Sequence, residues 1–256
     1  MRDQKRAQRG NALWFILIGV ALLGALTIVL SRGGSTVDQS GDFERRSIEA
    51  SRIMRTVKSF EVAVQQLLQL GCSENAISFW HDSNGDGVED NNDAYFNANS
   101  PTNRSCHIFD VNGGGLTYTD PQESWIDDIS PTPQYSGEWF FNGTTCVEGI
   151  GNGTSVNCGT NVRFPELLVF LPYIDRDLCV QLNRMNEVPT VGNTPPQDHN
   201  SAWAAAWARF IGNYNTNTRS LSSANGIDNQ HSACFEGGGT GPATGTFHFY
   251  HVLIQR

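Results

Sequence analysis

Between Arg9 and Arg32 the chain reads GNALWFILIGVALLGALTIVLS, and residues 12–30 carry no charged side chain. Only Gly19, Gly24 and Thr27 interrupt strongly apolar residues. As a helix this run reaches nearly 30 Å, which predicts one membrane-spanning helix over residues 11–31. Arg2, Lys5, Arg6 and Arg9 precede it against the single acid Asp3, and only Arg32 follows before Arg45. The positive flank keeps the N-terminus cytoplasmic and exports the remainder. A cleaved secretory signal has a shorter apolar core and a small-residue cleavage site, both missing from this stretch. The apolar segment is therefore expected to stay in the mature protein.

The exported part reads as globular. The chain has 256 residues, 39% hydrophobic, with a net charge of −9. That balance argues against nucleic acid and against an anionic membrane surface as the main partner, since either would select a basic patch. All six cysteines, Cys72, Cys106, Cys146, Cys158, Cys179 and Cys234, follow the apolar run. An even count in an oxidising compartment implies three disulfides, for which fifteen connectivities exist. Pairing in sequence order is the expectation taken. Thiol-bound metal is disfavoured because no C-x-x-C pair occurs.

Residues 32–42, RGGSTVDQSGD, read as a flexible connector between a basic leader (1–10), the apolar helix (11–31) and a folded domain (43–256). From there Ala50, Ile53, Met54, Val57, Phe60, Val64, Leu67 and Leu68 recur at steps of three and four. Arg46, Arg52, Arg55, Lys58 and Gln65 occupy other faces, so an amphipathic helix is predicted over 43–70, ended by Gly71. Short strands are expected within 72–159, around EWFFNGTT, and at the C-terminal TFHFYHVLIQR. Residues 164–186 read as helical, with Asp175 or Asp177 near an N-terminal turn and a face through Leu178, Leu182 and Met185. SAWAAAWARFIG predicts a short helix opened by Ser201.

The sharpest local pattern is DSNGDGVEDNND, residues 82–93. Asp82, Asn84 and Asp86 alternate, Gly87 permits a sharp turn at the sixth place, Val88 offers its carbonyl at the seventh, and Asp90 and Asp93 fall ninth and twelfth. Hard oxygen donors at these steps suit calcium better than magnesium, which demands a stricter octahedron. The loop resembles the calcium loops of dockerin modules and thrombospondin type 3 repeats. Asp93 stands where an EF-hand has a bidentate Glu, and Glu89 replaces the usual hydrophobic residue, which points away from a paired EF-hand switch. Ordering a loop is the role expected of such an ion.

A second resemblance rests on KRAQRGNALWFILIGVALLGALTIVLSR, a basic leader, a glycine and an apolar helix, followed by the amphipathic stretch. It resembles the N-terminal signal of type IV pilins and of type II secretion pseudopilins, most nearly the K-type minor pseudopilins and some minor pilins. The resemblance covers about the first seventy residues. It implies that a prepilin peptidase cuts between Gly10 and Asn11 and that the retained helix packs with other pilin-like subunits. Phe15 stands at the fifth mature position, where a major subunit has Glu, which favours a minor subunit. The resemblance further implies an α+β fold, with a helix laid on an antiparallel sheet, in which disulfides and a calcium site recur. The setting it implies is the bacterial inner membrane, crossed once, with the head periplasmic or extracellular after assembly.

Catalysis is not expected. His81, His107, His199, His231, His248 and His251 are scattered, and no G-x-S-x-G, H-E-x-x-H or P-loop pattern occurs. His248 and His251, three apart on a strand, face opposite sides. Asp198-His199 and the carboxylates at Asp127 and Asp128 are the remaining acid/base candidates. The glycosylation patterns at Asn103, Asn142 and Asn152 are taken as accidental in a bacterial protein. The alternative to a filament subunit is a membrane-tethered periplasmic binding or adhesion domain, stabilised by calcium, that does not polymerise. The two differ in whether residues 1–10 are lost.

Overall fold

The computed structural model describes residues 9–129, 133–151, 158, 164–190, 192–198, 208–214, 219–221, 226–239 and 242–256, with side chains over 9–13 and 29–40 set aside. It divides into two compact units, Met1–Ser47 and Ile48–Arg256.

Helix α1, Arg9–Gln69, continues without a break through Gly33 and Gly34, so the expected connector is helical backbone. The expectation of a membrane-spanning helix is overturned: among the described residues no helix is long and apolar enough to cross a membrane.

In the second unit, the stripe read from the sequence is the buried face of α1. Ala50, Ile53, Val57, Val64 and Leu67 are fully buried, Phe60 nearly so, with Met54 and Leu68 at the margin. Burial of each large side chain contributes roughly 1.5–3 kcal/mol. Ala63, which the stripe did not include, joins them. Phe60 sits at the centre, edge-on to Phe109, Trp139 and Phe141 at 5.5–5.6 Å. Gly71, at φ +97°, ends the helix: its N–H donates to Leu68 O and the Cys72 N–H to Leu67 O. This paired closure needs a left-handed residue where only glycine is free of strain.

A six-stranded sheet faces this stripe. Its strands are β1 (Phe140–Val147), β2 (Glu166–Pro172), β3 (Gln197–Asp198), β4 (Arg219–Leu221), β5 (Ser232–Gly237) and β6 (Phe247–Ile254), in the order β3-β5-β6-β2-β1-β4. The central four pair antiparallel, but β1 with β4 and β3 with β5 pair parallel. The antiparallel sheet expected is thus corrected to a mixed α+β sheet. The parallel edges are short strands reached by long excursions of chain, as a parallel crossover requires.

Strands β1, β2 and β6 are buried along their whole length because both faces are covered. Phe141, Leu167, Val169, Leu171, Phe249 and Leu253 face the α1 side, joined by Phe79, Tyr95 and Trp125 from the long segment after α1. Phe140, Leu168, Phe170, Phe235, Tyr250 and Val252 form the opposite layer with Ile150, Val188, Leu221 and Ile227. Continuous burial explains why β2 carried no alternating pattern and was expected to be helical.

Helix α2, Arg176–Met185, begins only after β2. Asp175 caps it, accepting from Asp177 N and Leu178 N at 2.9 and 3.0 Å. Leu178 and Leu182 are buried as expected, whereas Met185 is exposed. Buried Asn183 accepts from Cys234 N and donates to Cys234 O, both at 2.7 Å, standing in for a strand beside β5. Of the helix expected over 201–212, residues 208–212 are not helical and 201–207 lie outside the described residues.

Three disulfides hold the second unit: Cys72–Cys106, Cys146–Cys158 and Cys179–Cys234, in sequence order. Their separations of 34, 12 and 55 residues correspond to roughly 3–4 kcal/mol each of restricted unfolded-chain freedom.

Candidate functional site

The Asp82–Asp93 stretch folds back on its own amides. Asp82 accepts from Gly85 N at 2.7 Å and from Gly87 N at 3.0 Å, Asn84 Oδ1 from Asp86 N, and Asp86 Oδ1 from Val88 N at 2.8 Å. Short side-chain acceptors two to five residues before their donors make these turns, and Gly85 and Gly87 at φ +78° and +73° permit them. Asn84, Asp86 and Asp82 therefore share one arc.

The second half of the loop is anchored elsewhere. Asp90 accepts from Asn92 N at 2.7 Å and from its side-chain amide at 2.9 Å. Asp93 is buried, and its Oδ2 accepts from Trp80 Nε1 at 2.7 Å and from Asp90 N at 3.1 Å. Glu89 meets Arg104 at 3.2 Å, and Arg104 also lies over the Trp80 ring at 4.1 Å. This gives the unusual eighth residue a structural partner. Burial raises the Glu89 carboxyl despite Arg104 beside it.

Among the described residues no three His, Cys, Asp or Glu side chains are gathered to hold a metal ion. The donor set nevertheless suits a hard cation: it consists of oxygens, and Asp93 Oδ1 is buried without a hydrogen-bond partner. The amide bonds occupy one lone pair of each carboxylate oxygen they use and leave the others for an ion. Beside the loop, Gly87, Glu89, Asn97, Ser100 and Arg104 help to line a cleft of about 410 Å³.

A second cleft, of about 480 Å³, lies where α1 meets the segment leading to Trp125, with Arg52, Arg55 and Asp120 among its walls. Sequence reasoning placed both arginines on the polar face but did not connect them to residues seventy positions away.

The histidines among the described residues are held by packing and hydrogen bonds. His248 and His251 fall on opposite faces of β6, as the strand spacing requires. His248 contacts Thr246 Oγ1 at 2.8 Å, and burial holds it well below the ordinary imidazole range, at about 3. His251 joins Ser232 Oγ at 2.5 Å to Glu61 Oε2 at 3.0 Å, crossing from β5 through β6 to α1. Burial lowers its pKa to about 4, with the Glu61 hydrogen bond opposing. This hydroxyl–imidazole–carboxylate chain is buried at Ser232 and His251, and neither cleft is lined by any of its members. His107 is buried near Glu89, and His81 stacks on Tyr118 at 3.7 Å. Asp198 is buried on β3, and its neighbour His199 lies outside the described residues. Asp127 N–H donates to Tyr173 O, so that segment serves the fold.

Gly10 and Asn11, the expected processing pair, lie within the backbone of α1, but their side chains are outside the described set. Of the glycosylation patterns, Asn142 is buried, bonding to Thr144, Thr145 and Ala208 O, so a glycan there is incompatible with the fold. Asn152 is outside the described residues.

Compared with protein-family models, curated proteins and solved structures, the chain finds no match.

Proposed function

We propose that the chain is a pilin-like structural subunit, a minor pseudopilin or minor pilin, whose apolar N-terminal segment is covered by the corresponding helices of neighbouring subunits. One observation carries this reading. From Trp14 to Ile28 the large apolar side chains of α1 are exposed on every face, Trp14 by 63%, Phe15 by 69%, and Leu17, Val20, Leu22 and Leu23 by 65–66%. A helix apolar all round is stable only when surrounded. Gly19 and Gly24 have nothing within 4 Å of where a Cβ would stand, leaving notches that admit another helix backbone.

The leader resemblance supplies the means of release, cleavage after Gly10 by a prepilin peptidase. The three disulfides support a head that works in an oxidising compartment, the periplasm or the exterior of a bacterium. Calcium belongs to the proposal as a structural ion: the side chains of Asp82, Asn84, Asp86, Asp90 and Asp93 and the Val88 carbonyl would hold it, neutralising the loop's carboxylates and fixing its course. The task assigned is assembly, with no catalytic role.

The test is the intact mass of the native protein from cells containing a prepilin peptidase, with a Gly10→Val control, followed by sedimentation of the processed chain. A mass equal to residues 11–256, lost in the control, together with sedimenting assemblies, supports the reading. Retention of residues 1–10 in a chain that does not assemble overturns it and favours the non-polymerising binding domain.

A further inference from the structure

Asn84, Asn112, Asn142, Asn152 and Asn225 each precede a glycine. In such a pair the glycine nitrogen can attack the asparagine Cγ, because no Cβ shields it and both atoms belong to one incipient five-membered ring. The approach needs only rotation about the asparagine χ1 and ψ. Hydrogen bonds that pin the side-chain amide or the glycine N–H therefore set the rate. Asn84, Asn112 and Asn142 lie among the described residues, and the fold pins them to different extents.

Asn142 is buried in β1. Its Nδ2 donates to Thr144 Oγ1 and Ala208 O, and its Oδ1 accepts from Thr144 N and Thr145 Oγ1, all at 2.9 Å. Asn84 is exposed, but Asp86 holds both ends of its amide, accepting from Nδ2 at 3.1 Å and donating its N–H to Oδ1 at 3.0 Å. The Gly85 N–H donates to Asp82 Oδ1 at 2.7 Å, and a carboxylate there opposes loss of the proton. Asn112 is exposed, and its side-chain amide bonds to nothing among the described residues. Its own N–H donates to Asp110 Oδ1 at 2.8 Å. The Gly113 N–H donates at 3.0 Å to Asp110 O, a neutral acceptor shared with Gly115 N at 2.8 Å. Reaction at Asn84 must break two more hydrogen bonds than reaction at Asn112, which at ordinary net strength slows it by roughly thirtyfold.

We propose that Asn112 is a site of spontaneous modification, the first of these three asparagines to deamidate, with water as co-reactant. Hydroxide takes the Gly113 N–H proton, the nitrogen bonds to Asn112 Cγ, and the Cγ–Nδ2 bond breaks. Ammonia leaves with a proton from water, which restores the hydroxide. Water then opens the cyclic imide: cleavage at Cγ gives aspartate, and cleavage at the main-chain carbonyl carbon gives isoaspartate. The balance is one water consumed and one ammonia released, with no change of oxidation state. Either product adds a carboxylate next to Asp110, whose own carboxylate stands 3.7 Å from Arg104 Nη1. Isoaspartate also lengthens the main chain by one methylene where no room exists. A Cβ on Gly113 would strike His107 O, one on Gly114 would strike Ile108 O, and the Gly114 N–H donates to His107 O at 2.8 Å. The isoaspartate form is expected to lose that bond. The inference is independent of the filament and calcium readings.

The test incubates the full chain in mildly alkaline buffer at physiological temperature, beside the same chain unfolded in urea. Peptide mapping by mass spectrometry follows each asparagine, with electron-transfer fragmentation to separate isoaspartate from aspartate. In the folded chain Asn112 should convert to both products roughly thirtyfold faster than Asn84, while Asn142 stays intact. In urea the three should convert at similar rates. Asp82→Ala, which frees the Gly85 N–H, should speed Asn84 several-fold and leave Asn112 unchanged. The proposal is overturned if Asn112 stays intact in the folded chain after the urea control has converted. It is also overturned if Asn84 or Asn142 keeps pace with Asn112 in the folded chain, or if folding slows Asn112 as much as it slows Asn84, since the turn would then hold it as firmly.

Discussion

Glu166 opens β2 with no exposed surface, opposite Thr145 where the β1–β2 register shifts. Its Oε2 accepts from Val147 N at 2.8 Å, and its Oε1 has no partner. Burial lifts the carboxyl from 4.5 to about 8, with the Val147 N–H, its own N–H and the positive Arg256 opposing. The folded chain thus holds a proton that the unfolded chain releases above about pH 4.5. A raised folded pKa gives stability fully present below the unfolded value and lost as pH rises through the folded one. Each pH unit between the two removes about 1.4 kcal/mol, or close to 4 kcal/mol from about pH 5 to about pH 8. Glu166→Gln keeps an acceptor for Val147 but cannot ionise. It adds buried amide donors, a cost of about 1 kcal/mol at low pH. The variant should therefore match the parent closely near pH 5, where the two curves cross, and be about 3 kcal/mol the more stable near pH 8. Urea unfolding followed by tryptophan fluorescence at intervals from pH 5 to 8 measures both chains, and other titrating groups cancel in the difference. A difference that stays constant over that range refutes the buried, protonated Glu166.

The same variant exposes the histidines. His248 and His251 have folded pKa values depressed by burial to about 3 and about 4, so the unfolded chain takes up protons first as pH falls below 6.5. His107, likewise depressed by burial to about 4, adds to them. Stability of Glu166→Gln should fall toward acid by up to about 4 kcal/mol per pH unit between pH 6.5 and 4.5, and a level urea midpoint there would contradict the burial of these rings. Phe60→Ala removes the ring touched by Phe109, Trp139 and Phe141 and should cost about 3–5 kcal/mol in the same assay; a loss under about 1 kcal/mol would place the ring outside a packed core. If the Asp82–Asp93 loop holds calcium, a hundredfold excess over its Kd should stabilise the head by about 2.7 kcal/mol, an effect reversed by chelator and abolished in Asp82→Ala. A thermal midpoint indifferent to calcium and chelator would remove the ion from the proposal.

Features set by local chemistry were legible in the sequence. The core face of α1 follows from its three-and-four spacing, the helix stop from the one residue type that accepts φ +97° at Gly71, and the Asp175 cap from a short acceptor at a helix start. Strands β1 and β6 carried aromatic and β-branched residues between turn signals. β2 was not legible, because ELLVFLP is apolar on both faces and continuous burial erases the period that separates strand from helix. The parallel edge strands β3 and β4 are too short to leave a pattern. Gly33 and Gly34 read as a break, yet two costly residues do not end a helix of this length. In the calcium-type loop, spacing listed the oxygens in order but carried no sign that Asp93 would be taken by Trp80. The second cleft was hidden for the same reason, since Trp125 meets Arg52 and Arg55 only through the fold.

The three disulfides close the intervals 72–106, 146–158 and 179–234, and none overlaps another. A chain that crosses into an oxidising compartment in sequence order presents its cysteines in the order in which they pair. Each bond can close before the next cysteine pair has crossed, so every correct partner is also the nearest one then present. Threading of one loop through another never arises, and an oxidant that joins thiols indiscriminately as they emerge would still deliver the native set.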